Sequence, residues 1–292
     1  MRLNKTLKVG LILALPIIVY FFIFFVYPII TLLQESFTNT GNVFSLVNFQ
    51  RMLTDTVLRT SLINTGVYFA GSLALEYAAG FGVAILMYNY SGKLKALFRS
   101  IVFVPLMISP VVIGLMWVLI LNTQYGPVDY LIRLLGLHAV NFLGSLSLAM
   151  PSIIVANGWE YSPFVFLIIY AGLQTVPQQL YEAASVDGLT RPQVFRYITL
   201  PSIRASMLVA FLLAAIGVLQ GFTLVYVLTS GGPGYSTYIL SFYAYEVGFV
   251  YFQTHYAAAL SLLLLVIVAI FVSLMLKFTP VEEYLGLRRG KE

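Results

Sequence analysis

An all-α membrane protein with six transmembrane helices is the fold class this sequence predicts, and three observations predict it. Hydrophobic residues make up 60% of the chain and charged residues 9%, with a mean hydropathy of +0.92; that leaves too little charge to clothe a soluble domain of this length. Six apolar runs, about 11–34, 62–88, 97–121, 148–174, 204–229 and 257–277, each reach the roughly 20 residues that cross a bilayer. Basic residues fall to one side of them. With a cytoplasmic N-terminus, the inside segments hold Arg2, Lys5, Lys8, Lys93, Lys95, Arg99, Arg191, Arg196, Arg204, Lys277, Arg288, Arg289 and Lys291, and the outside only Arg51, Arg59 and Arg133. The expectation is one multi-pass domain over 1–292 with both termini cytoplasmic.

The first run follows Arg2, Lys5 and Lys8 but is far longer than the apolar core of a signal peptide and has no small-residue cleavage site, so it is read as a retained helix. Pro16 and Pro28 fall inside it, where membrane helices tolerate kinks. The second run carries Glu76 beside Tyr77 and Ala78-Ala79-Gly80, a helix-contact pattern. The third carries Pro105 and Ser109-Pro110. The outer segment 122–147 holds Gly126, Pro127, Asp129 and Gly136 and predicts a short surface helix. In the fourth run, Pro163 follows Asn157-Gly158-Trp159-Glu160-Tyr161-Ser162, freeing a backbone carbonyl and weakening the helix there. The outer segment 230–256 opens with Ser230-Gly231-Gly232-Pro233-Gly234, which stops a helix and turns the chain.

Between the fourth and fifth runs, segment 175–203 is charged and punctuated by turns. Pro177 suits the first turn of a short helix that Gln178 to Val186 continue, with Leu180, Ala183 and Ala184 on a small apolar face. Gly188 ends it, Thr190 with Gln193 starts a second helix in capping-box spacing, Phe195 and Ile198 give that helix an apolar face, and Pro201 breaks it. A helix-turn-helix on the cytoplasmic surface follows, with Glu182, Asp187 and Arg191 exposed.

Several function classes are excluded. Without cysteine there are no disulfides, thiolate metal sites or thiol nucleophiles. The net charge of +5 is scattered over short loops, not gathered into a nucleic-acid-binding stripe. His138 and His255 are far apart and lack carboxylate support for a metal. Glu76 and Glu160 have no basic partner within the runs and the two halves show no obvious repeat, which disfavours an ion-coupled secondary transporter. No G-x-x-x-x-G-K-[ST] loop is present to cradle ATP phosphates.

The run Glu182-Ala183-Ala184, Asp187-Gly188, Phe195 and Ile198-Thr199-Leu200-Pro201 resembles the EAA loop of permease subunits in binding-protein-dependent ABC importers. Tyr27-Pro28, Pro105 with Ser109-Pro110, Asn157-Gly158-Trp159, Thr229-Ser230-Gly231-Gly232-Pro233 and Tyr256-Ala257-Ala258 resemble the carbohydrate-uptake, maltose-permease-like branch, in a form without extra N-terminal spans or a large outer domain. The resemblance implies a subunit of the prokaryotic inner membrane that is not itself an enzyme. It implies a second homologous permease, two ATPase subunits that bind ATP and Mg, and an extracytoplasmic solute-binding protein, with no cofactor in this chain. The coupling residues it implies are Glu182, Ala183, Ala184, Asp187, Gly188 and Pro201.

For the solute pathway the resemblance implies Asn157, Trp159, Tyr161 and Phe164. Physical chemistry adds Glu160, a rare intramembrane carboxyl, and Ser109 beside Pro110. Gln220 resembles a position where the family carries Asn, and Gly217 and Gly221 beside it widen a pocket. Amides, carboxyls and aromatic faces together suit a sugar. The spans hold no Arg or Lys between their ends, so a neutral mono- or oligosaccharide is preferred over an anion such as glycerol phosphate.

Overall fold

A computed structural model describes the backbone of residues 5–278 and the side chains of 13–277, and among these residues every regular element is helical apart from one isolated bridge between Thr38 and Phe44. Arg2, Arg288, Arg289 and Lys291 lie outside the described residues, as do the side chains of Lys5 and Lys8. Four helices are long and apolar enough to cross a membrane alone: Leu13–Ser36, Thr56–Asn89, Ala149–Gln174 and Thr254–Lys277. Two further candidates are bent pairs, Lys95–Met107 with Pro110–Ile120 at 100° and Arg191–Ser202 with Arg204–Leu219 at 64°. The third run, expected as a plain span, is therefore bent within its length, and the second bend falls just before the fifth run begins.

The backbone divides into two compact units, and the first comprises the N-terminal segment to Thr56 with Tyr243–Ile267. It opens with α1 (Lys5–Phe21), a π-helical turn Phe22–Val26 and α2 (Tyr27–Ser36). Pro28 removes a donor and would clash with a carbonyl four residues back in a regular helix. The π turn, in which Tyr27 N–H bonds Phe22 O, loosens the ladder just before it. From α3 (Val47–Thr54), the Asn48 amide donates to the carbonyls of Ser36 at 3.1 Å and Thr38 at 2.9 Å, capping the end of α2. Asp55 Oδ2 accepts from the hydroxyls of Tyr243 at 2.6 Å and Tyr256 at 2.5 Å, and Arg51 lies 3.9 Å from the centre of the Tyr256 ring. Burial, and then the bond to Asp55, pushes the Tyr243 hydroxyl above its usual range.

The second unit comprises Val57–Phe242 and the chain from Val268. Its described helices are α4 (Thr56–Asn89), α5 (Lys95–Phe103) with a 3-10 turn Val104–Met107, α6 (Pro110–Ile120), α7 (Pro127–Leu134), α8 (Ala149–Gln174), α9 (Gln178–Val186), α10 (Arg191–Val194), α11 (Leu200–Ser202), α12 (Arg204–Leu219) and α13 (Thr223–Leu228). Helix α8 is central. Its Phe166, Ile169 and Leu173 are fully buried against Ala210, Ala214 and Ala215 of α12 and Leu73 and Ala84 of α4. Apolar side chains gain little from leaving lipid, so small residues that let backbones approach hold such helices together. At Gly80 of α4, a Cβ would lie 2.5 Å from the Ser162 carbonyl oxygen of α8.

Helix α8 continues through Pro163, whose missing N–H weakens it locally without ending it. The short helix expected in 122–147 is α7, and its Asp129 is buried at 2% exposure with Arg133, one turn on, bonded to it at 2.6 Å. Segment 230–256 opens on the turn expected of it and then holds further helix. After the turn at Gly231, with φ +81°, α14 (Leu240–Tyr245) begins in a buried stretch where Leu240 N–H donates to Thr65 Oγ1 at 2.8 Å. A π turn Glu246–Val250 and α15 (Thr254–Phe278) follow.

Candidate functional site

Two places hold the residues singled out from the sequence. The first is the segment after α8. Pro177 caps α9 from an extended conformation, one residue before the turn in which it was expected. Helix α9 ends as Leu189 N–H bonds Ala184 O at 3.0 Å and Gly188 N–H bonds Ser185 O at 3.2 Å. This double bond needs a left-handed residue, and Gly188 supplies it with φ +72°. Helix α10 starts at the Thr190 cap, whose backbone N–H donates to the Gln193 side chain at 2.8 Å. Pro201 does not break the second helix as expected: a π turn at Phe195–Thr199 precedes it, α11 carries on to Ser202, and the bend falls at Ile203.

The buried face of this pair also differs from the one expected. Ala184 is buried, but Leu180 and Ala183 face outward. Tyr181 takes their place, bonding Thr199 Oγ1 at 3.3 Å and lying beside Tyr88 of α4, while Phe195 packs edge-on to Phe81. Two rings reach a neighbouring helix where methyl groups would not. Glu182, Ala183, Asp187, Gly188 and Arg191 are left exposed together with Leu180, Val186 and Tyr197.

The second place is a cavity of about 250 Å³. It forms where the fifth run breaks: α12 stops at Leu219 and α13 restarts at Thr223, with Gln220, Gly221 and Phe222 between them. Irregular backbone survives in a membrane where it lines a cavity and its polar groups find partners. Ser241 Oγ donates to Gly221 O at 2.6 Å. A Cβ on Gly221 would lie 2.6 Å from the Tyr68 ring, so only glycine lets that ring reach the break. Pro110, at the start of α6, closes another side.

Helix α8 supplies Asn157, Glu160 and Tyr161, three and four residues apart and so on one face. Asn157 and Glu160 are each 3% exposed, and Asn157 Oδ1 and Glu160 Oε2 have no hydrogen-bond partner among the described residues. Tyr161 stands beside Glu160. Glu76 of α4 is 2% exposed with Oε1 likewise unpartnered, and it lies near enough to Glu160 to interact electrostatically.

Of the residues expected on the solute pathway, the cavity thus gathers Asn157, Glu160, Tyr161 and Gln220. Trp159, Phe164 and Ser109 do not line it. Trp159 points to the other side of α8 and meets Trp117 of α6 edge-on at 6.2 Å. Phe164 is half-buried about 6 Å further along the helix than Glu160. Ser109 is the exposed cap residue of α6, and its neighbour Pro110 reaches the cavity instead. Tyr68, Phe222 and Thr223 were not singled out from the sequence. Gly217 and Gly221, small residues flanking an amide, were the available signal.

Residues 77–279 match the family described as binding-protein-dependent transport system inner membrane component. The chain is 36% identical over 223 residues to a probable ABC transporter permease of Sinorhizobium fredii, covering 76% of this chain and 72% of that one. It is 32% identical to the trehalose/maltose transport system permease of Thermococcus litoralis, covering 92% and 93%. A solved bacterial alginate ABC transporter, in complex with an alginate pentasaccharide-bound periplasmic protein, aligns with a TM-score of 0.86 at 26% identity, covering 94% of this chain and 96% of that one.

Proposed function

The chain belongs to the family of binding-protein-dependent transport system inner membrane components, and on that premise we propose that it is the permease subunit of an ATP-driven sugar importer, forming half of the translocation pathway. In this reading it has six spans, the third bent between Met107 and Pro110 and the fifth made of α12 and α13, and both termini lie in the cytoplasm. A second homologous permease completes the path, two ATPase subunits bind ATP and Mg, and an extracytoplasmic binding protein delivers the solute. The chain itself catalyses nothing.

The observation that carries this reading is the rigid helix pair at 178–202. A Schellman turn at Gly188 and a cap at Thr190 set its angle, aromatic contacts seat it under α4, and an exposed strip runs from Leu180 and Glu182 to Tyr197. A lever transmits a partner's movement only if it does not deform, and this one is capped at its joint. Glu182, Ala183, Ala184, Asp187, Gly188 and Pro201 are its coupling residues. Ala184 and Pro201 act from within and the others lie at the surface.

The cavity at the broken span supports the solute class. Carboxyl and amide oxygens with the rings of Tyr68, Tyr161 and Phe222 suit hydroxyls and the C–H faces of a sugar. No Lys, Arg or His lines it, which disfavours an anionic solute such as glycerol phosphate. Co-purification with the ATPase and second permease, reconstitution in liposomes and addition of the binding protein test the proposal. ATP-dependent uptake of a labelled sugar is expected. Uptake that ignores ATP and collapses with the proton gradient would reverse it in favour of a secondary carrier, and strong competition by sugar phosphates would overturn the neutral-sugar preference.

A further inference from the structure

Two buried oxygens on the cavity wall, Glu160 Oε2 and Asn157 Oδ1, have no hydrogen-bond partner among the described residues, and the same holds of Glu76 Oε1 on the neighbouring helix α4, outside the cavity lining. Asn157 is an independent pointer beside the two carboxyls, being 3% exposed and part of the cavity wall. The amide oxygen accepts, and so do both carboxyls when ionised. A sugar hydroxyl both donates and accepts, so hydroxyls alone match this set only in part, whereas an ammonium group offers three donors and no acceptor. Two carboxyls near each other in a low-dielectric setting repel when both are charged, and a cation bound at one of them relieves the repulsion. The rings of Tyr68, Tyr161 and Phe222 also face the cavity, and aromatic faces attract an ammonium within about 6 Å.

Building on the sugar-importer reading above, we propose that this cavity recognises the protonated amine of an amino sugar, with Glu160 and Asn157 as its direct acceptors and Glu76 as the supporting carboxyl. The cavity then discriminates among sugars by charge: amine-bearing sugars are favoured, neutral ones tolerated and sugar acids or phosphates rejected.

The test uses the complete complex in lipid nanodiscs, with labelled glucosamine disaccharide, its N-acetylated form and cellobiose as probes, and ATP-driven uptake of the same three sugars in proteoliposomes. The free amine is expected to bind about tenfold more tightly than either other sugar, as for a hydrogen bond to a charged group. Glu160→Gln should abolish that preference, Glu76→Gln should reduce it, and Glu160→Asp should retain it. Equal binding of all three sugars by the unmodified complex, with ATP-driven uptake intact, overturns the amine site and leaves the importer reading standing. Failure of every sugar to be taken up with ATP sinks the importer reading itself. Displacement of the amine by sodium at constant ionic strength, with sodium stimulating cellobiose uptake, would assign the carboxyls to an inorganic cation and overturn the proposal. Because the comparison of sugars on the unmodified complex decides alone, a variant that fails to fold leaves the result readable.

Discussion

Asp129 and Glu160 are carboxylates of nearly equal burial, at 2% and 3% exposure, yet their surroundings are opposite. Asp129 is fully occupied: Oδ2 accepts from Arg133 Nε at 2.6 Å and Oδ1 from Val140 N–H at 3.3 Å, and Arg133 goes on to donate to Thr123 O at 2.9 Å. The carboxylate ties the short helix α7 to the chain on both sides. Glu160 keeps an oxygen without a partner on a cavity wall, beside an amide oxygen in the same condition. Burial therefore does not separate these two carboxyls, but saturation of their hydrogen bonds does. A protein that leaves a buried acceptor unpaired forgoes about 1–3 kcal/mol of stability, and a binding site is a reason to do so.

The widest break in that contrast comes from a third carboxylate, Glu182, which is exposed and neither staples a helix nor lines the cavity. Glu182→Lys should reduce ATP-driven uptake to background while ATP hydrolysis continues and thermal stability in detergent is unchanged. Gly188→Asp should act similarly, with a further loss of about 1 kcal/mol for a side chain forced to positive φ. Transport unchanged in both variants would remove the coupling role.

Asp129→Ala should lower stability by about 2 kcal/mol, short of the cost of breaking a fully buried pair because Arg133 is half exposed. Removing Arg133 as well should recover part of the loss, since neither partner is then stranded. Thermal unfolding of the three variants reads both effects, and a double variant less stable than Asp129→Ala would contradict the staple. Glu160→Gln should do the reverse: stability within about 0.5 kcal/mol of the parent, uptake of the transported sugar reduced about tenfold. A large fall in melting temperature would place Glu160 with Asp129. The smallest effect belongs to Tyr161→Phe, which removes one hydroxyl beside Glu160 and should weaken sugar binding about fivefold, roughly 1 kcal/mol, with the ring contribution intact.

The legible parts were those governed by local rules. Gln178–Val186, the left-handed Gly188 and the Thr190–Gln193 cap lie as their residue types require, because each depends on hydrogen bonds within a few positions. Which side of α9 is buried was not legible. The face of small residues was the sequence expectation, and Tyr181 was chosen instead because only a ring spans the distance to Tyr88 and Thr199. The fourth run repeats the pattern. The stretch Asn157–Phe164 was recognisable as chemically unusual, but its division into cavity-facing Asn157, Glu160 and Tyr161 and outward Trp159 depended on where α6 and α12 lie against α8.

By itself the sequence determined that this is a helical membrane protein, where its apolar runs fall and how segment 178–202 is capped. These follow from composition, periodicity and short-range bonding, which no distant contact can revise. Only the tertiary structure decided that the fifth run breaks at Gln220–Phe222, that Tyr68 closes on Gly221, and that Glu76 and Glu160, on different helices, come near each other. The physical reason is that a helix sequence specifies which residues share a face, whereas the direction of that face is set by the small residues through which neighbouring helices approach.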